Sequence, residues 1–248
     1  MARVFLKSEG TALDSRVIVS QLVATTVKGD PPRKRGGSQA RTRLARRAVV
    51  DAARALFLER GYQATTIDAI SDHSDVPAAT VYRLFSSKLG ILKALLDVSI
   101  AGDDQALSLP ERPQVAALLA EPDPEKLLAG FASITVAINA RSSDVYRILS
   151  SASGSDPAAA VLLADYQQQR DDGQGRIARS LARASALGPG LRERDAADLI
   201  HALMSPELYR LFVIDRGWPP ERYEQWLARI VADQLTSPLP RTPGRAQR

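Results

Sequence analysis

The stretch Thr65–Lys88, TTIDAISDHSDVPAATVYRLFSSK, constrains this chain more than any other. Thr65, followed three residues later by Asp68, has the S/T-x-x-D/E form of a capping box and places a helix N-terminus there, with Ile67 and Ile70 as its apolar edge. Ser74 and Asp75 interrupt the pattern, Val76 offers one apolar plug, and Pro77 supplies a fixed φ suited to the first turn of a new helix. In that second helix Val81, Leu84 and Phe85 face inward, which leaves Ala78, Ala79, Tyr82 and Arg83 outside. A helix, a tight turn, a short helix and the start of a third at Lys88 make a helix-turn-helix, whose outer face is small, aromatic and basic, as suits a major groove.

Charge is distributed to match. The chain carries a formal net charge of +5, and residues 33–88 hold 11 Lys and Arg against 5 Asp and Glu, whereas residues 89–248 hold 18 against 20. Basic charge concentrated on the helix-turn-helix segment is the footprint of a polyanion partner, and the nearly neutral remainder suits other work. Upstream, Ala45, Ala48, Val49, Ala52, Ala53, Leu56 and Phe57 recur with helical period over roughly 42–60. Arg46, Arg47 and Arg54 lie off that stripe, and Gly61 stands where a left-handed C-terminal residue belongs. Before it, Arg33, Lys34, Arg35, Arg41 and Arg43 form a basic arm of the kind that lies along a minor groove or phosphate backbone. Residues 1–40 are expected to be a disordered arm. Their apolar patch Val17–Val27 is interrupted by polar residues and lacks a convincing cleavage site, which argues against a secretory signal.

These residues resemble the TetR family of transcriptional repressors, whose pattern here is two Thr or Ser, Ile, then I-A-x-x-A-G-V-S, then T-x-Y-x-x-F and a Lys. Thr65, Thr66, Ile67, Ile70, Val76, Thr80, Tyr82, Phe85 and Lys88 match it in one register, and Phe57, Gly61 and Tyr62 match upstream, so the resemblance covers about fifty residues. Ser71 and Ser74 stand where Ala is usual, Asp75 where Gly is usual, and Leu84 where His is common. Asp tolerates the left-handed conformation, so the turn survives, while Leu84 removes one phosphate or base contact. The set read as contacting DNA is Arg46, Thr65, Thr66, Ala78, Ala79, Thr80, Tyr82, Arg83 and Lys88. Among these, Thr65, Thr66, Tyr82 and Lys88 are expected to anchor phosphates and Arg83 to read a base edge.

The rest of the chain reads as helix throughout, so the fold class is all-α: a helix-turn-helix domain over 41–90, an antiparallel helical ligand-binding and dimerisation domain over 91–237, and a disordered tail at 238–248. After a loop from Gly102 to Pro113, helical segments are read at 114–120, 124–140, 143–151, 157–186, 192–204, 206–216 and 219–236, punctuated by prolines. In the family the helix opened by Lys88 joins the two domains, so a shift in the second moves the first. Candidate ligand contacts are Phe131, Ile134, Tyr146, Leu149, Leu162, Tyr166 and His201, although an apolar residue on a helix is core by default and His201 reads first as a satisfied core or interface histidine. Asp171 and Asp172 are read as loop or solvent charges, since adjacent residues do not share a helix face. Leu208, Tyr209, Leu211, Phe212, Val213 and Ile214 make one helix apolar nearly all round. Tyr223, Trp226, Leu227, Ile230, Val231 and Leu235 form a stripe on the next, so Leu208, Phe212, Tyr223, Trp226 and Ile230 are assigned to a homodimer interface.

With no Cys and two His, disulfide frameworks, zinc fingers, thiolate nucleophiles and His-based triads lack their parts, and no cofactor or metal is expected. No apolar run reaches the length of about 20 residues that a membrane helix needs, and a reducing cytoplasm fits. An enzyme is the rival class, but G-x-S-x-G, H-E-x-x-H and Gly-rich phosphate loops are missing. The expected function is a ligand-responsive regulator, a repressor in the family's usual mode, that binds a palindromic double-stranded operator as a homodimer and is released by a small-molecule effector. The alternative is a constitutive DNA-binding protein without an effector.

Overall fold

The computed structural model describes residues 36–102 and 112–237, and among them no strand occurs. The elements are α1 (Gly36–Ala64), α2 (Ile67–Ser74), α3 (Ala78–Phe85), α4 (Lys88–Ala101), α5 (Pro113–Leu119), α6 (Pro124–Ser153), α7 (Pro157–Arg183), α8 (Glu193–Leu203), α9 (Pro206–Tyr209) and α10 (Pro220–Thr236). Between the last two, Arg210–Asp215 is a π-helical segment that continues α9. Five of these helices carry proline in the first turn, where the missing N–H has no intrahelical partner to lose. Asp123, Asp156 and Ser205 cap α6, α7 and α9 with side-chain oxygens that accept from first-turn amides.

Three boundaries differ from the sequence reading. The first helix begins at Gly36, not near 42, so residues 36–40 of the expected arm are helical. Gly61 does interrupt that helix, with φ 81° and ψ 165°, a conformation open to glycine and strained for other residues. The segments expected at 124–140 and 143–151 are one helix of 30 residues. Arg141, Ser142 and Ser143 do not break it, because Ser142 turns its hydroxyl back on the Ile138 carbonyl at 2.8 Å and the helix continues beneath it. The helix expected over 206–216 is a short α-turn followed by the π segment. The residues assigned to the N-terminal arm before Gly36, to the C-terminal tail and to most of the loop after Gly102 lie outside those described.

Two apolar clusters hold the body together. The first joins Leu56, Phe57, Ile70, Val81 and Phe85 to Ile91, Leu92, Leu95 and Leu96 of α4, then to Tyr146, Leu149, Ala159 and Tyr166 of α6 and α7. The second gathers Leu127, Leu128, Ile177, Leu181, Ile200, Met204, Tyr209, Tyr223, Leu227 and Val231 from α6 to α10. At a rise of about 1.5 Å per residue, α6 is about 45 Å long and α7 about 40 Å, so each passes through both clusters. The expected boundary at 90/91 falls inside the first turn of α4, and the core runs through it: Gln39 onward forms one compact unit. Each fully buried Leu or Ile here is worth about 1.5–3 kcal/mol relative to exposure, which makes that junction stiff. Gly90 serves the same junction, since a Cβ there would fall on the Phe85 carbonyl oxygen and push α4 off the end of α3.

Candidate nucleic-acid interface

α2 and α3 are eight residues each and are positioned by caps, a turn and two buried plugs. Thr66 is the N-cap of α2, its Oγ1 accepting from the Ala69 amide at 3.1 Å. Thr65, assigned to the cap and to a phosphate, is buried: its Oγ1 donates to the carbonyls of Gly61 at 2.8 Å and Leu56 at 3.3 Å. The capping register is therefore one residue later than the sequence pattern suggested. Thr65 ties α2 to the end of α1, and Thr66 keeps an exposed hydroxyl that, as an acceptor toward Ala69, still has a proton to donate.

Asp75 ends α2 in the left-handed conformation (φ 53°, ψ 26°), so a carboxylate residue does carry the turn that glycine usually makes. Ser71 donates its hydroxyl to the Val76 carbonyl at 2.7 Å and Ser74 donates to the Ser71 carbonyl at 3.3 Å, so both serines at the family's alanine positions spend their hydroxyls inside the turn. Val76 is buried beneath it. α3 then starts at Ala78, after Pro77, without a side-chain cap. Val81 and Phe85 are buried, Ala78 and Thr80 are half-buried, and Ala79, Tyr82 and Arg83 are exposed. Tyr82 stands 52% exposed, a large aromatic surface open to solvent.

Two basic residues assigned to DNA are committed within the chain. Arg46 donates from Nη1 to the Leu84 carbonyl at 3.0 Å and holds its guanidinium 4.6 Å from the centre of the Phe85 ring, bracing α3 from α1 while remaining exposed. Lys88, expected to anchor a phosphate, has its ammonium engaged inside the chain. Its Nζ donates to the carbonyls of Tyr62 at 2.7 Å, Thr65 at 2.8 Å and Gln63 at 3.4 Å, and sits 4.3 Å over the Tyr62 ring. Burial pulls the ammonium below the ordinary lysine value, against the opposing field of Asp156. Tyr62 is pushed up to about 12, first by burial and then by the negative charge of Asp156, whose Oδ2 accepts from the Tyr62 hydroxyl at 3.5 Å. Sequence reasoning found Tyr62 only as a pattern match, and nothing local to residue 62 points to a carboxylate 94 positions away.

In the helical body the seven ligand candidates divide. Tyr146, Leu149 and Tyr166 are buried in the first cluster with Leu162 against them, the two tyrosine rings 5.6 Å apart. Phe131 packs on the second cluster, and Ile134 is half-buried on the intervening turns of α6. Phe131 and Tyr146 are 15 residues apart on one helix, about 22 Å, so the set does not wall a single small cavity. His201 on α8 places Nδ1 2.6 Å from Asp171 Oδ1 and 3.1 Å from Gln174 Oε1, and its carbonyl accepts from Arg170 at 3.3 Å. Asp171, which remains exposed, is thus also a helix-to-helix partner. A surface recess of about 270 Å³ beside Leu119, Pro124, Leu127 and Leu181 touches none of the seven.

At the far end Tyr223, assigned to a dimer interface, is fully buried in the chain's own core, edge-on to Tyr209 at 5.5 Å, so its ring is closed to any partner. Leu208, Phe212, Trp226 and Ile230 are half-buried. Phe212 stacks 4.7 Å from Trp218 and 4.8 Å from Trp226, and Arg222 lies 3.8 Å over Trp218. Leu211 and Ile214 on the π segment are 45% and 52% exposed.

A short exposed helix set by a left-handed turn on a basic three-helix platform, continuous with a long helical body, defines a helix-turn-helix protein. Residues 49–95 match the family model described as bacterial regulatory proteins, tetR family. The HTH-type transcriptional activator FasR of Mycolicibacterium smegmatis is 34% identical over 97 residues, 36% of this chain and 44% of that protein. The matched segment spans less than half the length of the curated relatives. A bacterial regulatory protein of the tetR family from Rhodococcus RHA1 superposes with a TM-score of 0.55 at 21% identity, covering 78% of this chain and 97% of that one. The transcriptional regulator FadR of Bacillus subtilis, solved in complex with stearoyl-CoA, superposes with a TM-score of 0.62 at 16% identity, covering 76% and 98%. The chain carries a tetR-family helix-turn-helix domain on a body with the all-helical tetR-family fold.

Proposed function

We propose that the protein is a ligand-responsive transcriptional regulator that binds a palindromic DNA operator as a homodimer through α3 and acts as a repressor relieved by a small molecule. The observation that carries this reading is the solvent face of α3: Ala79, Tyr82 and Arg83 stand clear of the core on a platform that Thr65, Arg46 and Lys88 help to hold. Arg83 offers a fork suited to guanine O6 and N7, Tyr82 and Thr66 offer hydroxyls to phosphates, and Ala79 a methyl contact to thymine.

One recognition helix reads too few base pairs for an operator, while two placed about 34–36 Å apart read successive major grooves. The exposed Leu211 and Ile214, beside the half-buried Leu208, Phe212, Trp226 and Ile230, supply an apolar face for a second copy. The effector site is assigned to the interior between α6, α7 and α8, where Tyr146, Leu149, Leu162 and Tyr166 give apolar wall and hydroxyls and His201 a polar edge. A DNA partner supports a cytoplasmic location, and no described helix is long and apolar enough to cross a membrane. FadR's stearoyl-CoA makes acyl thioesters the first compounds to test, and FasR, named an activator, makes the sign of regulation a measurement of its own.

Selection of bound fragments from genomic DNA, followed by titration of the enriched duplex, tests the core of this reading. A palindromic site bound by two chains is the expected result. Retention of random duplex as tightly as the enriched one would overturn it.

A further inference from the structure

The junction between the helix-turn-helix and the body contains a chain of polar contacts that links the two elements as well as serving each one. It starts at the N-terminus of α4, where Lys88 gathers the carbonyls of Tyr62, Gln63 and Thr65. Gly61, left-handed, turns the backbone so that those carbonyls converge, and their partial negative charge at the end of α1 is what an ammonium neutralises. The Tyr62 ring lies under that ammonium and packs at 5.5 Å from Phe57. Its hydroxyl then reaches Asp156 Oδ2, while Asp156 Oδ1 accepts from the Ala158 and Ala159 amides at 2.9 and 3.3 Å. One carboxylate therefore caps α7 with one oxygen and holds the end of α1 with the other. Beside it, Gln63 Nε2 donates to Ser155 Oγ at 2.7 Å. Thr65 follows two residues after Gln63, and Thr66 caps α2, which begins at Ile67.

We infer that Asp156, Tyr62 and Lys88 form a latch through which α7 sets the position of the helix-turn-helix, which makes Asp156 a positioning residue for DNA binding as well as a helix cap. This rests on the DNA-binding reading above. α7 is a rigid lever: 27 residues of helix carry Asp156 at one end and Asp171 and Gln174, the partners of His201, further along. A displacement of α7 against α8 must move the carboxylate against Tyr62, and through the Lys88-bound carbonyls it reaches Thr65, whose hydroxyl is hydrogen-bonded to α1 at Leu56 and Gly61. A second contact, Arg54 Nη2 to the Arg141 carbonyl at 3.5 Å, with Arg141 in turn donating to the carbonyls of Ser99 and Ile100 at 3.1 Å, ties α1, α6 and α4 on another side. The end of α1 meets the body at the latch and, beside it, through Gln63 on Ser155. The carboxylate is suited to the task because its charge is held by the N-terminal amides of α7 and by the nearby ammonium at once.

Tyr62→Phe removes the hydroxyl and keeps the ring on which Lys88 rests. Asp156→Ser keeps a capping oxygen for α7 and is too short to offer a second one to Tyr62. Hydrogen exchange on the full chain is expected to quicken about three- to tenfold at amides 62–66 and 78–85 in each variant, the range that the loss of one hydrogen bond gives. The double variant should show no more than either single one, because both break the same link. Affinity for the duplex enriched by the unaltered protein is expected to change about threefold or more in each, and equally in the double variant. Unchanged exchange, or effects that add, in a chain that binds its duplex would overturn the latch alone. Failure of the unaltered chain to enrich any duplex would overturn the DNA-binding reading, and the exchange data would still decide whether α7 and the helix-turn-helix are linked.

Discussion

Replacing Lys88 with Met separates a structural lysine from a phosphate anchor. Met keeps most of the stem and removes the ammonium, so the variant loses the bonds to the Tyr62, Thr65 and Gln63 carbonyls and the position over the Tyr62 ring. The two short bonds contribute about 1 kcal/mol each net of solvation, and the ring contact about 0.5–1 kcal/mol. The long third bond adds little. Against this stands the freezing of a long side chain, roughly 1 kcal/mol on entropy scales, and the desolvation that lowers the Lys88 pKa in the folded state. The balance is a loss of about 1–1.5 kcal/mol, or about 2–6 °C in melting temperature for a folded unit of this size. Thermal unfolding followed by circular dichroism measures it, and DNA binding at several salt concentrations should keep its salt slope, since no phosphate contact is removed. A melting temperature within about 1 °C of the unaltered protein, together with a slope reduced by about one, would show that Lys88 meets a phosphate and refute the structural assignment.

Three further outcomes are expected. Arg83→Ala should lose about 1–3 kcal/mol on the enriched duplex, relax preference at one base pair and leave random DNA bound as before; competition titrations on both duplexes check it. The phenols of Tyr62 and Tyr166 are held neutral, each pushed up to about 12 chiefly by burial. Their contribution to stability is whole below the ordinary tyrosine value of about 10 and is lost as pH rises from there through about 12. Melting temperature measured across that range should fall steeply, less so in Tyr62→Phe, and a flat profile would contradict the burial. Leu211→Glu, placed on an exposed apolar position of the π segment, should give a folded chain that sediments as a monomer and binds its operator far more weakly; an unchanged dimer would move the interface elsewhere.

What could be read from the sequence here was set by range. The turn between α2 and α3 depends on residues within reach of one another, so Asp75, Val76 and Pro77 announced it, and the left-handed φ of 53° at Asp75 follows from a side chain that tolerates it. The stop at Gly61 is local in the same way. Thr65 and Thr66 present identical side chains, and which of them caps α2 is decided by the carbonyls of Leu56 and Gly61, which claim the hydroxyl of Thr65 first. Lys88 is a stronger case: its partners lie 23 to 26 residues upstream, and a basic residue beside a recognition helix carries no mark of whether it faces inward or outward. Helical periodicity tells which face of α6 is buried and nothing about depth along its axis. That is why Phe131 and Tyr146 shared a predicted wall and stand in different clusters.

The polar contacts between helices are the least legible of all, and they bear most directly on function. Tyr62 to Asp156, Arg54 to Arg141 and His201 to Asp171 each join residues 30 to 94 positions apart, through side chains that are ordinary surface residues by composition. Apolar packing explains why α7 lies against the rest of the body, yet an apolar contact slides with little directional cost, whereas a hydrogen bond loses most of its strength below about 120°. The same core that runs unbroken from the helix-turn-helix into α6 and α7 therefore supplies stiffness. The few directional contacts across it supply registration, and a change in regulation is expected to follow changes in them before changes in the core.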